Sequence, residues 1–135
     1  MRFNYSRTIH FSDTDAAGVV FFARYLSIAH EAYEEALAEK ELPLSQIFTD
    51  SGTVIPIAKS EASYLRPLKT GERIEVELLP VRLNKHAFAI DYTLWKTTPQ
   101  KKRAAVIRTE HVCIDSSSRR KIPLPRAITS WLESG

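Results

Sequence analysis

The chain begins with an alternation of period two. One set of positions holds Phe3, Tyr5, Arg7, Ile9 and Phe11, and the positions between them hold Asn4, Ser6, Thr8 and His10. Because successive side chains of a strand point to opposite faces, this pattern predicts a first strand that ends near Ser12. The Asp-Thr-Asp segment that follows predicts a turn.

The period then changes to that of a helix. Between about Phe22 and Lys40, apolar residues recur at three- and four-residue steps, which predicts a helix of about five turns with one buried face. The members of this stripe are Phe22, Leu26, Ala29, Tyr33, Ala36 and Leu37. A short second helix is predicted over residues 43–51, with Gly52 ending it.

Four extended segments follow, over residues 54–65, 73–83, 87–97 and 103–115. Most are joined by short turns, which favours an antiparallel sheet with the long helix on one face, because parallel strands would each need a crossover. The expected fold class is therefore α+β, a single domain over residues 1–135 with about five strands. A short final helix is predicted to carry Ile128, Trp131 and Leu132.

One helix cannot cover both faces of a five-stranded sheet. The strand around residues 60–65 is expected to lie at a sheet edge, where it can pair with a second copy of the chain. We therefore expect a homodimer or a homotetramer, with a ligand site between subunits.

Composition restricts the classes of function. The chain has 135 residues, of which 44% are hydrophobic and 26% charged, and no apolar run approaches the ~18 residues of a membrane span. We expect a soluble protein without membrane contact. The start of the chain shows no export signal, and the single Cys113, interpreted as a small strand residue, allows no intramolecular disulfide; both agree with a cytoplasmic location.

The net charge of +3 is carried by dispersed basic residues. The densest basic runs, 101–103 and 119–121, are interpreted as turns. This distribution argues against a nucleic-acid partner, whereas several phosphates on one small ligand could use scattered charge.

The candidate chemistry lies in FSDTDAAGVVFF, between the first strand and the long helix. Asp13 and Asp15 stand beside the free N–H groups and positive dipole end of a helix, an arrangement suited to attack on a carbonyl. From spacing alone, the favoured interpretation of Asp15 is a helix cap or a loop carboxylate that satisfies backbone donors, and Asp13 is better interpreted as a turn residue. Gly18 is expected to let the loop turn tightly and a substrate approach closely.

The residues around this loop leave further alternatives. Phe21 and Phe22 could line a pocket for a flat acyl group, although core packing is the favoured interpretation. Glu31 could support the loop, but an exposed helix charge is favoured. No metal site is expected, because the four histidines fall in separate elements and the H-E-x-x-H pattern is missing. No nucleophile elbow of a Ser-His-Asp hydrolase is present either.

The order of elements and the segment FSDTDAAGVVFFARYL resemble the hotdog-fold thioesterases of the 4-hydroxybenzoyl-CoA thioesterase family, over nearly the whole chain. The resemblance implies an antiparallel sheet wrapped around one long helix, and hydrolysis of an acyl-CoA. It also implies that Asp15 is the catalytic carboxylate and that Asp13 supports the loop. Many relatives carry Tyr or His where this chain has Phe22, so here the backbone N–H of Phe22 is the expected carbonyl donor.

Three further blocks are similar to the cyanobacterial and plastid-type 1,4-dihydroxy-2-naphthoyl-CoA thioesterases of phylloquinone biosynthesis: HEAYEEAL, IPIAKSEASYLRPLKTGERIEVEL, and RTEHVCI followed by RRKIPLP. This resemblance implies that substrate and no separate cofactor, because coenzyme A is part of the substrate. A broader aromatic or short-chain acyl-CoA thioesterase and a non-catalytic acyl-CoA binding module are the alternatives.

The family often places coenzyme A contacts near the turn that here contains Arg82 and Lys85. These two residues are therefore the first candidates for binding the phosphates. The second candidates are Arg66, Arg119, Arg120 and Lys121.

Overall fold

A computed structural model describes residues 2–42, 45 and 52–134 of the chain. Strand β1 is followed by a single 3-10 turn, Phe11–Asp13, and by the long helix α1. Six strands and a short helix α2 then follow. The elements are β1 Phe3–Thr8, α1 Phe22–Glu39, β2 Thr53–Val54, β3 Ile57–Tyr64, β4 Arg73–Arg82, β5 Ala87–Lys96, β6 Lys102–Val112, β7 Ile114–Asp115 and α2 Arg126–Glu133.

Five of the strands form one sheet in the order β1-β4-β5-β6-β3, and every neighbouring pair is antiparallel. The predicted α+β class and five-stranded sheet are confirmed. Strand β3 lies at one edge, as expected, and most of its residues are exposed.

Helix α1 lies on one face of this sheet, and its buried residues join those of β4, β5 and β6 in one core. Helix α2 closes the same core through Trp131, as the apolar spacing of the last residues predicts. The Trp131 ring stacks on Phe3 with centroids 5.4 Å apart, and its Nε1–H donates to the carbonyl of Ala36 at 3.2 Å. Both helices are therefore fixed to the sheet by large buried side chains.

Two predicted boundaries are wrong. Strand β1 ends at Thr8 and not near Ser12, because the chain turns at Phe11–Asp13 and leaves Phe11 82% exposed. Helix α1 begins at Phe22 as predicted, but this side chain is 70% exposed and does not belong to the buried stripe. Its first turn lies beside Tyr64 of the edge strand instead of over the centre of the sheet.

The two longest predicted strands are each divided in the structure. The segments over residues 54–65 and 103–115 separate at Pro56 and Cys113, and their outer ends form the small β2–β7 sheet. Proline has no N–H to continue a ladder. Lys102 and Arg103 belong to β6 and not to a turn. The helix predicted over residues 43–51 lies outside the described residues, apart from Ser45.

None of the helices in the described part of the chain combines the length and the apolar character needed to cross a membrane.

Candidate active site

The segment between β1 and α1 is a tight antiparallel loop. Thr14 pairs with Val20, and the Asp15 N–H donates to the Val19 carbonyl at 3.0 Å. The Gly18 N–H closes the turn on the Asp15 carbonyl at 2.9 Å, with Gly18 at φ +81. A residue with a Cβ rarely adopts this conformation, so the predicted need for glycine is confirmed.

Asp15 is exposed on this loop. Its Oδ1 accepts a hydrogen bond from the Ala17 N–H at 2.8 Å, which orients the carboxylate without burying it. Asp15 is not the helix cap: the N-cap is Phe21, and no described side chain caps α1. Val19 lies opposite Asp15 and three residues before Phe22, so at most roughly 10 Å of extended chain separates Val19 from the start of the helix.

The start of α1 provides donors close to this carboxylate. The N–H groups of Phe22 and Ala23 belong to the first helical turn and have no partner within the helix. The Arg24 N–H is already used, since it donates to the Phe21 carbonyl at 3.0 Å. The loop therefore joins an exposed carboxylate to the positive end of a helix whose Phe22 and Ala23 N–H groups have no hydrogen-bond partner among the described residues.

Asp13 has the opposite environment. It is fully buried, and it accepts from Arg7 at 2.9 Å, from Arg24 Nε at 2.8 Å and from the His10 N–H at 2.8 Å. Burial alone would raise the pKa of this carboxyl, but the hydrogen bonds from His10 and Arg24, followed by the Arg7 charge, hold the pKa below its usual value. Asp13 is thus an ionised anchor that joins β1, the loop and the first turn of α1.

Glu31 extends this anchor. Its Oε2 lies 3.0 Å from Arg7 Nε and accepts a hydrogen bond from the Tyr5 hydroxyl. Burial and the Glu31 carboxylate raise the pKa of Tyr5 to about 12, so the phenol remains a donor. The favoured interpretation of Glu31 as an exposed helix charge is wrong, because it holds Arg7, which in turn holds the loop through Asp13.

A cleft opens at the start of α1. It has a volume of about 350 Å³, and Phe22 and Tyr25 line it from the helix, Tyr64 from β3 and Arg66 from the chain after it. The Tyr64 hydroxyl donates to the Phe22 carbonyl at 3.3 Å. Phe22 therefore lines a cleft instead of the core, and Phe21 is 41% exposed, so the favoured core interpretation of both residues is wrong.

A second, smaller hollow of about 100 Å³ lies farther along the same helix. Leu26 and His30 line it from α1; the other lining residues are Ile57, Ser60, Tyr92 and Thr109. A bulge between Ile57 and Lys59 lets both Ile57 and Ser60 pair with inward-facing positions of β6. Leu26 and His30 follow Phe22 at four-residue steps, so this hollow begins one to two helical turns, about 6–12 Å, from Phe22.

Both hollows are lined by residues of α1 on one side and of β3 on the other, and we call the space between these two rows the α1–β3 groove. Phe22, Leu26 and His30 border it on the helix, and it ends in the outer cleft on one side and the inner hollow on the other. The residues facing them from the edge strand are Ile57, Ser60 and Tyr64. Because β3 has no neighbour on its outer side in one chain, the groove is bordered there by a free strand edge.

The first candidates for coenzyme A contacts lie far from Asp15 within one chain. The loop contacts the chain just before β4, where Val19 pairs with Lys69, whereas Arg82 ends β4 and Lys85 lies in the hairpin beyond it. The nine residue steps of β4 span roughly 30 Å. The run 119–121 lies at that distant end too, because Lys121 pairs with Ile114 next to the hairpin.

Of the candidate cations, Arg66 lines the outer cleft. Its guanidinium donates to the Arg103 carbonyl at 2.7 Å, which fixes the side chain near the mouth of the groove. Within one chain, Arg66, a second candidate, therefore lies nearer to the Asp15 loop than the first candidates, Arg82 and Lys85.

A buried group of three hydrogen-bonded polar side chains is not predicted from the sequence. Tyr92, Thr109 and His111 are linked by hydrogen bonds of 3.0 and 2.7 Å under helix α1. A signal for it exists: in β6, Thr109 and His111 occupy alternate positions that continue the inward row of Ala105 and Ile107.

No group of three or more His, Cys, Asp or Glu side chains within the described residues is placed to hold a metal ion.

Comparisons with known proteins identify the family of the chain. The family model described as the thioesterase-like superfamily matches residues 9–132. A 1,4-dihydroxy-2-naphthoyl-CoA hydrolase of Thermosynechococcus vestitus is 42% identical over 131 residues, which cover 97% of this chain and 88% of that protein. The protein of the same name from Crocosphaera subtropica is 45% identical over 130 residues, covering 96% of this chain and 95% of that protein.

Among solved structures, the crystal structure of a 1,4-dihydroxy-2-naphthoyl-CoA thioesterase from Synechocystis is similar over the whole fold. It has a TM-score of 0.93 and 32% sequence identity, and the match covers 98% of this chain and 96% of that one.

Proposed function

The chain belongs to the thioesterase-like superfamily, and on that premise we propose that it hydrolyses 1,4-dihydroxy-2-naphthoyl-CoA to 1,4-dihydroxy-2-naphthoate and coenzyme A. This is a step of phylloquinone or menaquinone biosynthesis. The observation that carries the proposal is the exposed carboxylate of Asp15 beside the free N–H end of α1, in a chain 42–45% identical to hydrolases of that name.

The proposed chemistry follows from these two groups. The thioester carbonyl accepts a hydrogen bond from the Phe22 N–H. This hydrogen bond strengthens as negative charge develops on the carbonyl oxygen. Either Asp15 removes a proton from a water that attacks the carbonyl, or the Asp15 carboxylate attacks the carbonyl itself and forms a mixed anhydride that water then hydrolyses. In both routes the thiolate of coenzyme A leaves. Both routes need the same carboxylate at the same carbonyl.

The acyl group extends from Phe22 into the α1–β3 groove. Aromatic side chains of Phe22, Tyr25 and Tyr64 surround the outer cleft, which suits a flat ring system. The Phe22 side chain cannot assist with a hydroxyl or an imidazole, so polar assistance comes from the backbone. Gly18 and Phe21 are proposed substrate contacts because both lie on the exposed stretch between Asp15 and Phe22.

Arg82 and Lys85 remain the proposed contacts for the coenzyme A phosphates. Since they lie at the opposite end of β4 from Asp15, they can reach the same substrate only when a second copy of the chain supplies them. This agrees with the proposed homodimer or homotetramer, in which the free edge of β3 pairs with another subunit.

We propose a cytoplasmic enzyme that needs no cofactor, because coenzyme A enters with the substrate.

Thiol release from a panel of acyl-CoA thioesters tests this function. The panel contains 1,4-dihydroxy-2-naphthoyl-, benzoyl-, 4-hydroxybenzoyl- and hexanoyl-CoA at equal concentrations. The proposed function predicts the highest kcat/KM for the dihydroxynaphthoyl ester. Equal rates across the panel would favour a broad thioesterase, and saturable binding without thiol release would favour a binding module.

A further inference from the structure

The inner hollow of the α1–β3 groove has a polar floor, and its walls combine the apolar Leu26 and Ile57 with the polar His30 and Ser60. Tyr92 and Thr109 both line it, and both are at least 95% buried. Leu26 and Ile57 provide apolar walls, and His30 contributes an imidazole at its helix side. Burying a hydroxyl group costs free energy unless it forms hydrogen bonds. The hydrogen bonds of Tyr92 and Thr109 therefore determine which ligand groups the hollow can bind.

Tyr92, Thr109 and His111 together carry more polar hydrogens than there are hydrogen bonds among them. Burial, assisted by the nearby His30, lowers the pKa of His111 to about 4, so its imidazole is neutral near pH 7 and carries one N–H. Burial keeps Tyr92 protonated by raising its pKa. Tyr92, Thr109 and His111 thus hold one polar hydrogen each, yet only two hydrogen bonds join them.

The leftover hydrogen has three possible positions. If each hydroxyl donates toward His111 Nε2, the hydrogen remains on Nδ1, a buried atom for which the described residues offer no acceptor. If Nε2–H donates to Thr109 instead, the leftover hydrogen lies on the Tyr92 or the Thr109 hydroxyl. Both of those hydroxyls line the inner hollow.

An oxygen placed in the hollow removes this imbalance. It can accept the leftover hydrogen from Tyr92 or Thr109, and His111 Nδ1 is then an acceptor and not a buried unpaired N–H. A ring hydroxyl brings a hydrogen of its own, for which the hydroxyl oxygen of Ser60, also in the lining of the hollow, offers an acceptor. An aliphatic or unsubstituted aromatic acyl group offers no such oxygen and leaves the donor unsatisfied.

The position of the hollow matches a ring substituent. It begins one to two helical turns from the Phe22 N–H, on the helix face that borders the groove. An aromatic acyl group whose carbonyl lies at Phe22 therefore extends its far edge toward Tyr92 and Thr109.

We propose that the inner hollow is a recognition site for a ring hydroxyl, in which Tyr92 and Thr109 select hydroxylated aromatic acyl groups and His111 fixes the direction of their hydrogen bonds. This inference rests on the proposed thioesterase function and adds the residues that determine specificity. Tyr92 and Thr109 contact the substituent, and His111 acts through Thr109.

The test compares 1,4-dihydroxy-2-naphthoyl-CoA with 2-naphthoyl-CoA, under argon because hydroquinones oxidise in air. The measured quantity is the ratio of the two kcat/KM values in each protein, divided by the wild-type ratio, so that the intrinsic reactivities of the esters cancel. Tyr92→Phe and Thr109→Val are expected to lower the ratio about 5- to 10-fold, the loss for one hydrogen bond.

A matched control is Thr93→Val. Thr93 follows Tyr92 on β5 and lies on the opposite face of the sheet, so the same substitution there is expected to keep the ratio within about twofold of wild type. If Tyr92→Phe and Thr109→Val behave like Thr93→Val, the recognition site is overturned while the thioesterase function stands.

A binding measurement decides the inference independently of hydrolysis. Fluorescence titration of the wild-type protein with 1,4-dihydroxy-2-naphthoate and with 2-naphthoate compares two ligands that differ only in the hydroxyls. At least about fivefold tighter binding of the dihydroxy acid supports the site. Equal affinities, or no saturable binding of either acid, overturn it; a wild type that binds selectively but releases no thiol contradicts the thioesterase function alone.

Discussion

Asp13 and Asp15 are two positions apart in one turn, yet Asp13 is completely buried between Arg7 and Arg24 whereas Asp15 is exposed with one backbone hydrogen bond. The first carboxylate is inaccessible to a substrate because it is buried, and the second is exposed on the loop that leads to the helix start. This difference separates the anchoring carboxylate from the one that we propose carries the chemistry.

Replacing Asp13 is expected to destabilise the fold. Asp13→Asn removes the buried one of the two carboxylates that pair with Arg7 and leaves only the partly exposed Glu31, so it is expected to lower the free energy of unfolding by about 2–4 kcal/mol, measured by urea denaturation. The control is Asp91→Asn, which breaks an exposed pair with Arg108 and should cost about 1 kcal/mol or less. Equal losses in the two variants would contradict the anchoring role.

His111 makes stability depend on pH in a predictable direction. Its folded-state pKa of about 4 lies below the ordinary 6.5, so between these values the unfolded state binds the extra proton. Stability is therefore fully present above pH 6.5 and decreases as the pH falls toward 4, by on the order of 3 kcal/mol. Unfolding at several pH values should show a flatter profile in His111→Gln; an unchanged slope would contradict the buried neutral imidazole.

Gly18 is expected to affect both stability and rate. A Cβ added there meets no described atom within 4 Å, so the cost of Gly18→Ala is the strain of φ +81, about 1 kcal/mol. Because the Gly18 N–H closes the turn on Asp15, kcat should also fall about 10-fold.

Gly71→Ala is the matched control for Gly18, with φ +88 and equally open surroundings. It should cost a similar unfolding free energy while kcat remains within about twofold of wild type. A kcat that falls equally in both variants would show that general destabilisation, and not the position of Asp15, causes the effect.

The basic hairpin gives a separate prediction about coenzyme A. Arg82→Gln and Lys85→Gln should each raise KM about 3- to 10-fold with kcat little changed, because a phosphate contact contributes to binding of ground state and transition state alike. Arg2→Gln, an exposed arginine paired with Glu77 on β4, is the control. An unchanged KM in the hairpin variants would exclude Arg82 and Lys85 from the binding site.

Much of the fold could be predicted from the sequence, because period-two and helical patterns determine which side chains are buried. The long helix, the sheet and the exposed edge strand β3 all followed from such patterns. Phe22 was misplaced because helical spacing does not tell which end of a helix extends beyond the sheet. Glu31 was misjudged because its partners, Tyr5 and Arg7, are distant in sequence.

The loop chemistry could be anticipated in part. Free N–H groups at a helix start follow from helix geometry alone, but the contrast between Asp13 and Asp15 depends on Arg7 and Arg24 reaching only the first of them. The distance between Asp15 and the Arg82 hairpin required strand register, which periodicity does not give. The polar floor of the groove needed the pairing of β5 with β6.

The most direct test of the account is thiol release from 1,4-dihydroxy-2-naphthoyl-CoA by the wild type, Asp15→Asn and Asp115→Asn. Asp115 is a turn aspartate that also accepts backbone N–H groups, so its replacement controls for loss of a turn hydrogen bond. We expect Asp15→Asn to lower kcat by about 10²–10⁴-fold with an unfolding midpoint close to wild type, and Asp115→Asn to retain the wild-type rate. A folded Asp15→Asn protein that hydrolyses this ester at the wild-type rate would contradict the assignment of the chemistry to Asp15.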